Sequence, residues 1–263
     1  MSRGPRLDVW LVDHGLAESR QKAQALVMTG RVRVNGAVAD KAGAAVRSEA
    51  TVELAPGPVH VGRGALKLAG ALGRLGIDPR GCVAVDVGAS TGGFTETLLA
   101  RGATRVYAVD VGRAQLHQRL RADPRVVVRE RVNARALSPA EVPEPCALAT
   151  VDVSFISALK VLPALRAVLA AGAEVALLVK PQFEAGRGEV GRGGLVKDER
   201  IHRRVLEDVM RGAQQLGYVV AGACASPLAG AEGNREFFVR LRRDGTPQTD
   251  GALARLAAEA VAS

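Results

Sequence analysis

The sequence predicts an α/β protein, a doubly wound parallel sheet preceded by a small α+β module. Three observations carry that prediction. From residue 82 onward, apolar runs of strand length alternate with helical patterns. The first of these strands runs into a glycine-rich turn, Asp86-Val-Gly-Ala-Ser-Thr-Gly-Gly-Phe-Thr, that opens a helix. Ahead of residue 56 the pattern is two short amphipathic helices and a hairpin, with too little apolar surface for a large core. A chain of 263 residues, 48% apolar and 24% charged, suffices for one ordinary domain plus a small one. The breaker Pro56-Gly-Pro58 reads as the hinge, dividing the chain into residues 1–58 and 59–263.

In the front module, Leu7, Trp10 and Leu11 form a helical stripe over residues 6–14 that Gly15 can close in a left-handed cap. Ser19 is a suitable N-cap for a second helix, Arg20–Met28, whose Ala23, Leu26 and Val27 make the apolar face before Gly30 stops it. The run Arg31-Val-Arg-Val then alternates at period two into Asn35-Gly36, the strongest short hairpin signal, and Ala37-Val-Ala returns. Ser19-Arg20, Ala23, Leu26, Gly30, Val32, Val34 and Asn35-Gly36 together resemble the RNA-binding domain of the S-four type, over roughly residues 4–55. The charges agree: Arg20, Lys22, Arg31, Arg33 and Lys41 crowd the second helix and hairpin, with Arg3 and Arg6 at the start of the first helix, and all seven are candidate RNA contacts.

In the larger region the expected parallel strands are Val83–Val87, then residues 105–111, 126–128, 148–153 and 175–179, with two closing strands at 218–224 and 236–242. The intervening helices fall at 95–101, 114–120, 158–169 and 199–216, with a last one at 250–261. A doubly wound sheet of this order places its ligand crevice beyond the carboxyl ends of the strands.

Composition narrows the partners. Thirty-six Lys and Arg against 27 Asp and Glu give a formal charge of +9, which favours a polyanion. Nine Arg against three acidic residues between 101 and 135 would extend such a footprint across the larger domain. Only eight aromatic residues are present, so recognition through phosphates, ribose hydroxyls and RNA shape is expected to outweigh base stacking. No apolar run approaches the ~20 residues that cross a bilayer, and the start lacks a signal-peptide stretch; a cytoplasmic protein without stable membrane association is expected. Cys82, Cys146 and Cys224 are odd in number and unpaired in spacing, and read as small hydrophobes. His14, His60, His117 and His202 lie scattered without ligand spacing, so no metal is expected.

The chemistry is concentrated at strand ends. Gly88, Ala89, Ser90, Thr91, Gly92, Gly93 and Phe94 form the turn after the first strand, where glycine lets backbone approach a ligand. Asp110 ends the next strand and is placed to accept both hydroxyls of an adenosine ribose, with Val111, Asn133 and Asp152 as further candidate cofactor contacts. A nicotinamide dinucleotide is disfavoured, because the glycine spacing is wrong and Asp86 would repel a pyrophosphate. A carboxylate there suits the cationic amino and sulfonium end of S-adenosylmethionine. Lys180 and Asp152 each end an apolar run and face one crevice, where cations can stabilise a developing alkoxide. Lys67, on a helix through Leu75, and Glu236, opening the last strand, complete a set of four. The glycine-rich segment from Glu184 to Lys197, carrying Arg187 and Arg192, is long for a connection and reads as a mobile lid.

The set Lys67, Asp152, Lys180 and Glu236 resembles the Lys-Asp-Lys-Glu tetrad of FtsJ-like ribose 2′-O-methyltransferases. With an S-four domain in front, and with Val179-Lys-Pro-Gln-Phe-Glu-Ala-Gly, Val190-Gly-Arg-Gly-Gly-Leu-Val-Lys-Asp and Ser226-Pro-Leu-Ala-Gly-Ala-Glu-Gly-Asn, the chain up to Arg242 is similar to the TlyA (hemolysin A) family of rRNA methyltransferases. It departs in the linker, where His60, Gly62 and Ala65 stand in place of the more usual Tyr, Ser and Gly. The resemblance implies a Rossmann-like sheet, S-adenosylmethionine as cofactor, and methylation of cytidine ribose in rRNA of small or large ribosomal subunits; Arg3 and Arg6 favour the type acting on both. It also implies that Lys180 activates the hydroxyl, that Asp152 and Lys67 tune its field, and that Glu236 holds the lysines and ribose. Two other functions compete: a non-enzymatic RNA-binding assembly factor, which would not bind the cofactor, and a membrane-lytic protein, which would release dye from liposomes.

Overall fold

The computed structural model describes residues 4–17, 19–28, 30–39, 41–47, 49–55, 60–230 and 233–263. In the front module, α1 (Leu7–Asp13) and α2 (Arg20–Met28) pack together over Leu7, Leu11, Ala23, Val27, Val32 and Val46. The hairpin forms as the Asn-Gly signal requires: β1 (Val32–Val34) pairs antiparallel with β2 (Ala37–Val38), and Asn35 and Gly36 both take positive φ, 51° and 78°. A third strand, β3 (Val52–Leu54), was not expected. Three residues are too few to show a period, and Val-Glu-Leu becomes a strand only because it pairs with the free side of β1. Arg3 and the Pro56-Gly-Pro58 hinge lie outside the described residues.

The larger region begins with α3 (Gly64–Leu75), followed by β4 (Val83–Val87), α4 (Gly93–Ala100), β5 (Arg105–Asp110), α5 (Gln118–Arg121) and β6 (Val126–Glu130). Next come β7 (Cys146–Val151), α6 (Leu162–Arg166), β8 (Leu169–Val179), α7 (Pro181–Glu184), α8 (Glu199–Gln215), β9 (Val219–Ala225), β10 (Phe237–Arg242) and α9 (Asp250–Ala262). The sheet runs β6-β5-β4-β7-β8-β10-β9, with β4 to β8 parallel and β10 antiparallel to both its neighbours. Apolar residues on both faces explain the nearly continuous Val and Leu runs: one face packs on α6, α8 and α9 through Leu162, Leu206 and Leu253, the other on α3 and α4 through Leu68, Leu72 and Leu98. Strand order reverses between β4 and β7, which opens the crevice at their carboxyl ends.

Two expected helices are shorter than their patterns. The 114–120 helix contracts to α5, because Glu130 accepts the amides of Ala114 and Gln115 and holds that stretch as a loop on the crevice wall. The 158–169 helix becomes a 3₁₀ turn (Ala158–Lys160) and α6, with Pro163 confined to the first turn, and the chain enters β8 already at Leu169. Gly172, at φ 69°, lies in the irregular part of β8 where its register against β7 shifts.

Candidate active site

Sheet register brings the four ionisable residues to one end of the molecule. Phe237 of β10 lies opposite Val179 of β8, so Glu236 precedes its strand beside the point where Lys180 leaves its own. Asp152 follows β7, with its amide bonded to the Val87 carbonyl at 2.9 Å, next to the turn that ends β4. Lys67 arrives on α3, whose first turn lies against the glycine turn: a Cβ on Gly93 would sit 2.8 Å from the Ala65 nitrogen, and one on Gly62 2.6 Å from Thr91 Oγ1.

Within this cluster the residues form two ion pairs. Lys180 Nζ is 2.5 Å from Asp152 Oδ1 and donates to Ser154 Oγ at 2.8 Å. Lys67 Nζ donates to Glu236 Oε2 at 2.6 Å, and the Glu236 side chain is only 2% exposed. Gly230 makes room for that carboxylate, since a Cβ there would fall 1.9 Å from Glu236 Oε1. Glu236 therefore holds Lys67, while Lys180 is held by Asp152 and Ser154; the expectation that Glu236 grips both lysines is corrected in favour of two pairs.

Two adjoining cavities meet at Asp152. The larger, about 480 Å³, is lined by Gly88, Ser90, Asp110, Val111, Asn133 and Asp152 among others. The smaller, about 220 Å³, is lined by Ala89, Thr91, Gly93 and Phe94, and shares Gly88, Ser90 and Asp152 with the first. Asp110 accepts the Ser90 amide at 2.8 Å and the Gly112 amide at 2.6 Å, which fixes its carboxylate in the wall. Ser90 itself is held at φ 49° and Gly88 at φ 86°.

Two candidate cofactor contacts lie elsewhere. Gly92 does not line either cavity; its α-carbon packs where a Cβ would meet Leu120 and Leu116 at 2.2 and 2.8 Å. Asp86 is fully buried under the turn and accepts Thr95 Oγ1 at 2.7 Å and Thr150 Oγ1 at 2.8 Å, tying α4 to β7. It braces the crevice from below rather than touching a ligand within it. Burial pushes its carboxyl up to about 6, against the pull of the two hydroxyls, with the Asp152 charge adding to the rise. Because that value exceeds the unfolded one of 3.8, the folded state takes up the proton first. The group then destabilises the fold progressively as pH rises through this window, by about 3 kcal/mol when fully ionised. Asp86→Asn removes the charge, accepting one threonine hydroxyl and donating to the oxygen of the other, so the variant is expected to be at least as stable as the wild type at pH 8 and to lose this advantage at pH 4. Denaturant unfolding at the two pH values checks it; a variant less stable at pH 8 would contradict the account.

The sequence pattern did not single out Phe155, Ser154 or Glu184. Phe155 is 87% exposed at φ 64°, on the rim of the larger cavity, and its ring lies 5.0 Å from that of Phe183. The low aromatic count concealed it, because one ring at the mouth matters more than the total. The linker substitutions all seat against the turn: His60 Nδ1 and the Val61 amide each lie 3.1 Å from Glu96 Oε2, Gly62 packs on Thr91, and the buried Ala65 accepts Thr97 Oγ1 at 3.0 Å. The segment read as a lid is fastened: Asn234 donates to the Gly194 carbonyl and accepts the Val196 amide, at 2.9 and 3.0 Å, and Glu189 pairs with Arg204 at 2.5 Å.

On the front module, Arg6 and Arg20 converge on the buried Asp8 at 3.0 and 3.2 Å while remaining more than half exposed. Those guanidiniums, with a bond from Gln24, hold the Asp8 carboxyl well below the usual range. Lys22, Arg33 and Lys41 are exposed, whereas Arg31 is half-buried and donates to the Ala55 carbonyl at 2.9 Å. Between 101 and 135 the arginines are not all free for a polyanion: Arg105, Arg119, Arg121 and Arg125 pair with Glu144, Glu96, Glu130 and Asp123. Arg113, Arg131 and Arg135 are exposed, and Arg135 lines the larger cavity. Among the described residues, no helix is long and apolar enough to cross a membrane.

Comparison with known proteins agrees with this architecture. The profile of the FtsJ-like methyltransferase family matches residues 60–243, and that of the S4 domain residues 5–52. The 16S/23S rRNA (cytidine-2′-O)-methyltransferase TlyA of Mycobacterium tuberculosis is 48% identical over 256 residues, 97% of this chain and 94% of that protein. Hemolysin A of Brachyspira hyodysenteriae is 36% identical over 240 residues, 90% of this chain and 99% of that one. A solved "putative hemolysin" from Streptococcus thermophilus superposes with a TM-score of 0.75 at 39% identity, covering 98% of this chain and 96% of its own. An S4 domain, a Rossmann-like sheet of seven strands and a paired Lys-Asp-Lys-Glu cluster at its switch point thus occur in one chain, which belongs to the TlyA (hemolysin A) family of FtsJ-like methyltransferases.

Proposed function

We propose that this protein methylates the 2′-hydroxyl of cytidine in ribosomal RNA of the small subunit, the large subunit or both, with S-adenosylmethionine as donor. The observation that carries the reading is the position of Asp152, which lines both cavities and pairs with Lys180 at 2.5 Å. The group donating the methyl and the groups attending its acceptor are thereby adjacent. The name of the M. tuberculosis relative supports the substrate.

The residues present fit S-adenosylmethionine. The larger cavity has the size of a nucleoside site, with the Asp110 carboxylate for ribose hydroxyls and Val111 and Asn133 beside it. Asp152 and the turn at Gly88 offer a carboxylate and backbone to the amino-acid end. When bound, this donor supplies an electrophilic methyl on a sulfonium sulfur. Lys180 would hold the ribose hydroxyl in line and stabilise the developing alkoxide while the hydroxyl proton passes to solvent water. Asp152 keeps the Lys180 ammonium in place, and the Lys67–Glu236 pair fixes a second cation in a largely dry setting. Phe155 presents a flat apolar face at the rim, suited to a base drawn out of its stack. Phe155→Ala is expected to raise KM for the ribosomal substrate by about tenfold, the scale of one stacked base, with little change in cofactor affinity; steady-state kinetics and calorimetry check it.

The front domain, residues 1–58, would dock the RNA through Arg3, Arg6, Arg20, Lys22, Arg31, Arg33 and Lys41, leaving residues 59–263 to catalyse. An rRNA substrate would put the protein in the cytoplasm with ribosomal subunits. Ribose-methylation mapping of rRNA from cells with and without the gene tests the reading. A cytidine 2′-O-methyl present only with the gene is expected; identical maps, together with purified protein that transfers no methyl to either subunit, would overturn it.

A further inference from the structure

Two short segments leave adjacent parallel strands and are fastened together side by side. One follows β7 and carries Asp152, Ser154, Phe155 and Ser157; the other follows β8 and carries Lys180, Phe183 and Glu184. Lys180 Nζ donates to Ser154 Oγ at 2.8 Å, the Phe183 ring meets Phe155 at 5.0 Å, and Glu184 Oε1 accepts the Ala158 amide at 2.7 Å. Ser157 Oγ accepts the Leu159 amide at 3.3 Å and caps the same turn.

Phe155 is held at φ 64° while 87% exposed. A bulky residue in that region costs about 1–3 kcal/mol and persists only where neighbours over-determine it. Phe155 buries too little of itself to do so, so the restraint comes from its loop, held at Ser154 by Lys180 and at its far end by Glu184. Glu184 supplies the far restraint: it lines neither cavity, is half-buried, and caps the turn in which the loop ends. Withdrawing a carboxylate from water is unfavourable unless its bonds are needed.

We propose that Glu184 is a positioning residue for methyl transfer, which by accepting the Ala158 amide locks the loop 152–158 against Lys180 and so sets the place of Asp152, Ser154 and Phe155. The proposal rests on the methyltransferase reading above. Glu184 acts through the loop and touches neither donor nor acceptor.

The test compares Glu184→Ala, Glu184→Gln and Ser157→Ala with the wild type, using S-adenosylmethionine and purified ribosomal subunits. Glutamine still accepts the Ala158 amide, so Glu184→Gln is expected to stay within about threefold of the wild type, whereas Glu184→Ala loses about 10- to 100-fold in kcat, the scale of an ångström of misplacement. Cofactor Kd is expected to weaken in Glu184→Ala, because residues 152–156 line the larger cavity, and to stay within about threefold in Glu184→Gln. Ser157→Ala, which removes one bond, should fall between them. Hydrogen exchange gives a readout apart from activity: the Ala158 amide is expected to lose protection in Glu184→Ala and to keep it in Glu184→Gln. Wild-type kcat and wild-type cofactor affinity in Glu184→Ala would overturn the proposal. Should Glu184→Ala fail to fold, Glu184→Gln with an inactive but folded site is the overturning result. A wild-type protein that transfers no methyl would defeat the underlying reading, and the exchange data would still show whether Glu184 holds the loop.

Discussion

Lys180→Ala is expected to lower methyl transfer by about 10³-fold while leaving S-adenosylmethionine binding within about threefold. The first figure is the scale for losing a group that acts on the proton and on developing charge at the reacting oxygen. The second follows from geometry, since Lys180 lines neither cavity. Lys180→Arg should not restore the rate: the ammonium is a compact donor shared between Asp152 Oδ1 and Ser154 Oγ, at 2.5 and 2.8 Å, and a planar guanidinium cannot replace it in that space. Asp152→Asn should differ in kind, weakening the cofactor as well as the rate, because Asp152 lines both cavities. Single-turnover transfer to ribosomal subunits, with calorimetry for the cofactor, separates the two. A Lys180→Ala protein with undiminished transfer would remove the residue from the chemistry.

The second large effect is expected at Gly88, where Gly88→Ala should weaken the cofactor by about 100-fold and destabilise the fold by about 2–4 kcal/mol. Gly88 sits at φ 86°, and a Cβ would fall 2.2 Å from the Asp152 carbonyl oxygen. That neighbour is backbone, bonded through its amide to Val87, so it cannot rotate aside. Relief requires β4 and β7 to separate at the point where Asp152 enters the site, damaging cofactor and catalytic geometry together. Gly172→Ala is the matched control: it too has a positive φ, 69°, but nothing lies within 4 Å of an added Cβ. It should show only the backbone term of about 1–2 kcal/mol, with activity retained. Equal losses of cofactor binding in both variants would mean that the close approach to Asp152 is irrelevant.

Much of the fold was legible because it depends on local rules. Asn35-Gly36 fixes a hairpin by backbone conformation alone, and the Val83–Val87 run followed by glycine could be bounded to the residue. Elements that depend on partners were not. β3 needs the free side of β1, the first half of β8 needs β7, and the 114–117 stretch is kept out of helix by Glu130 of a different strand. The same division runs through the site. Ten of the twelve cofactor candidates line a cavity, since each follows a strand or a glycine turn; Asp86 and Gly92 do not, because the direction of a side chain at a strand end depends on what packs beneath it.

The order of strands, the glycine turn and the four ionisable residues were determined by the sequence itself, because period, spacing and residue chemistry are local properties of the chain. Which lysine meets which carboxylate was decided only by the tertiary structure. Antiparallel β10 sets Glu236 beside the end of β8, yet α3 delivers Lys67 to it and leaves Lys180 to Asp152. Ion pairs act over a few ångströms, and residues 169 positions apart come within that distance only when the sheet and its flanking helix have packed.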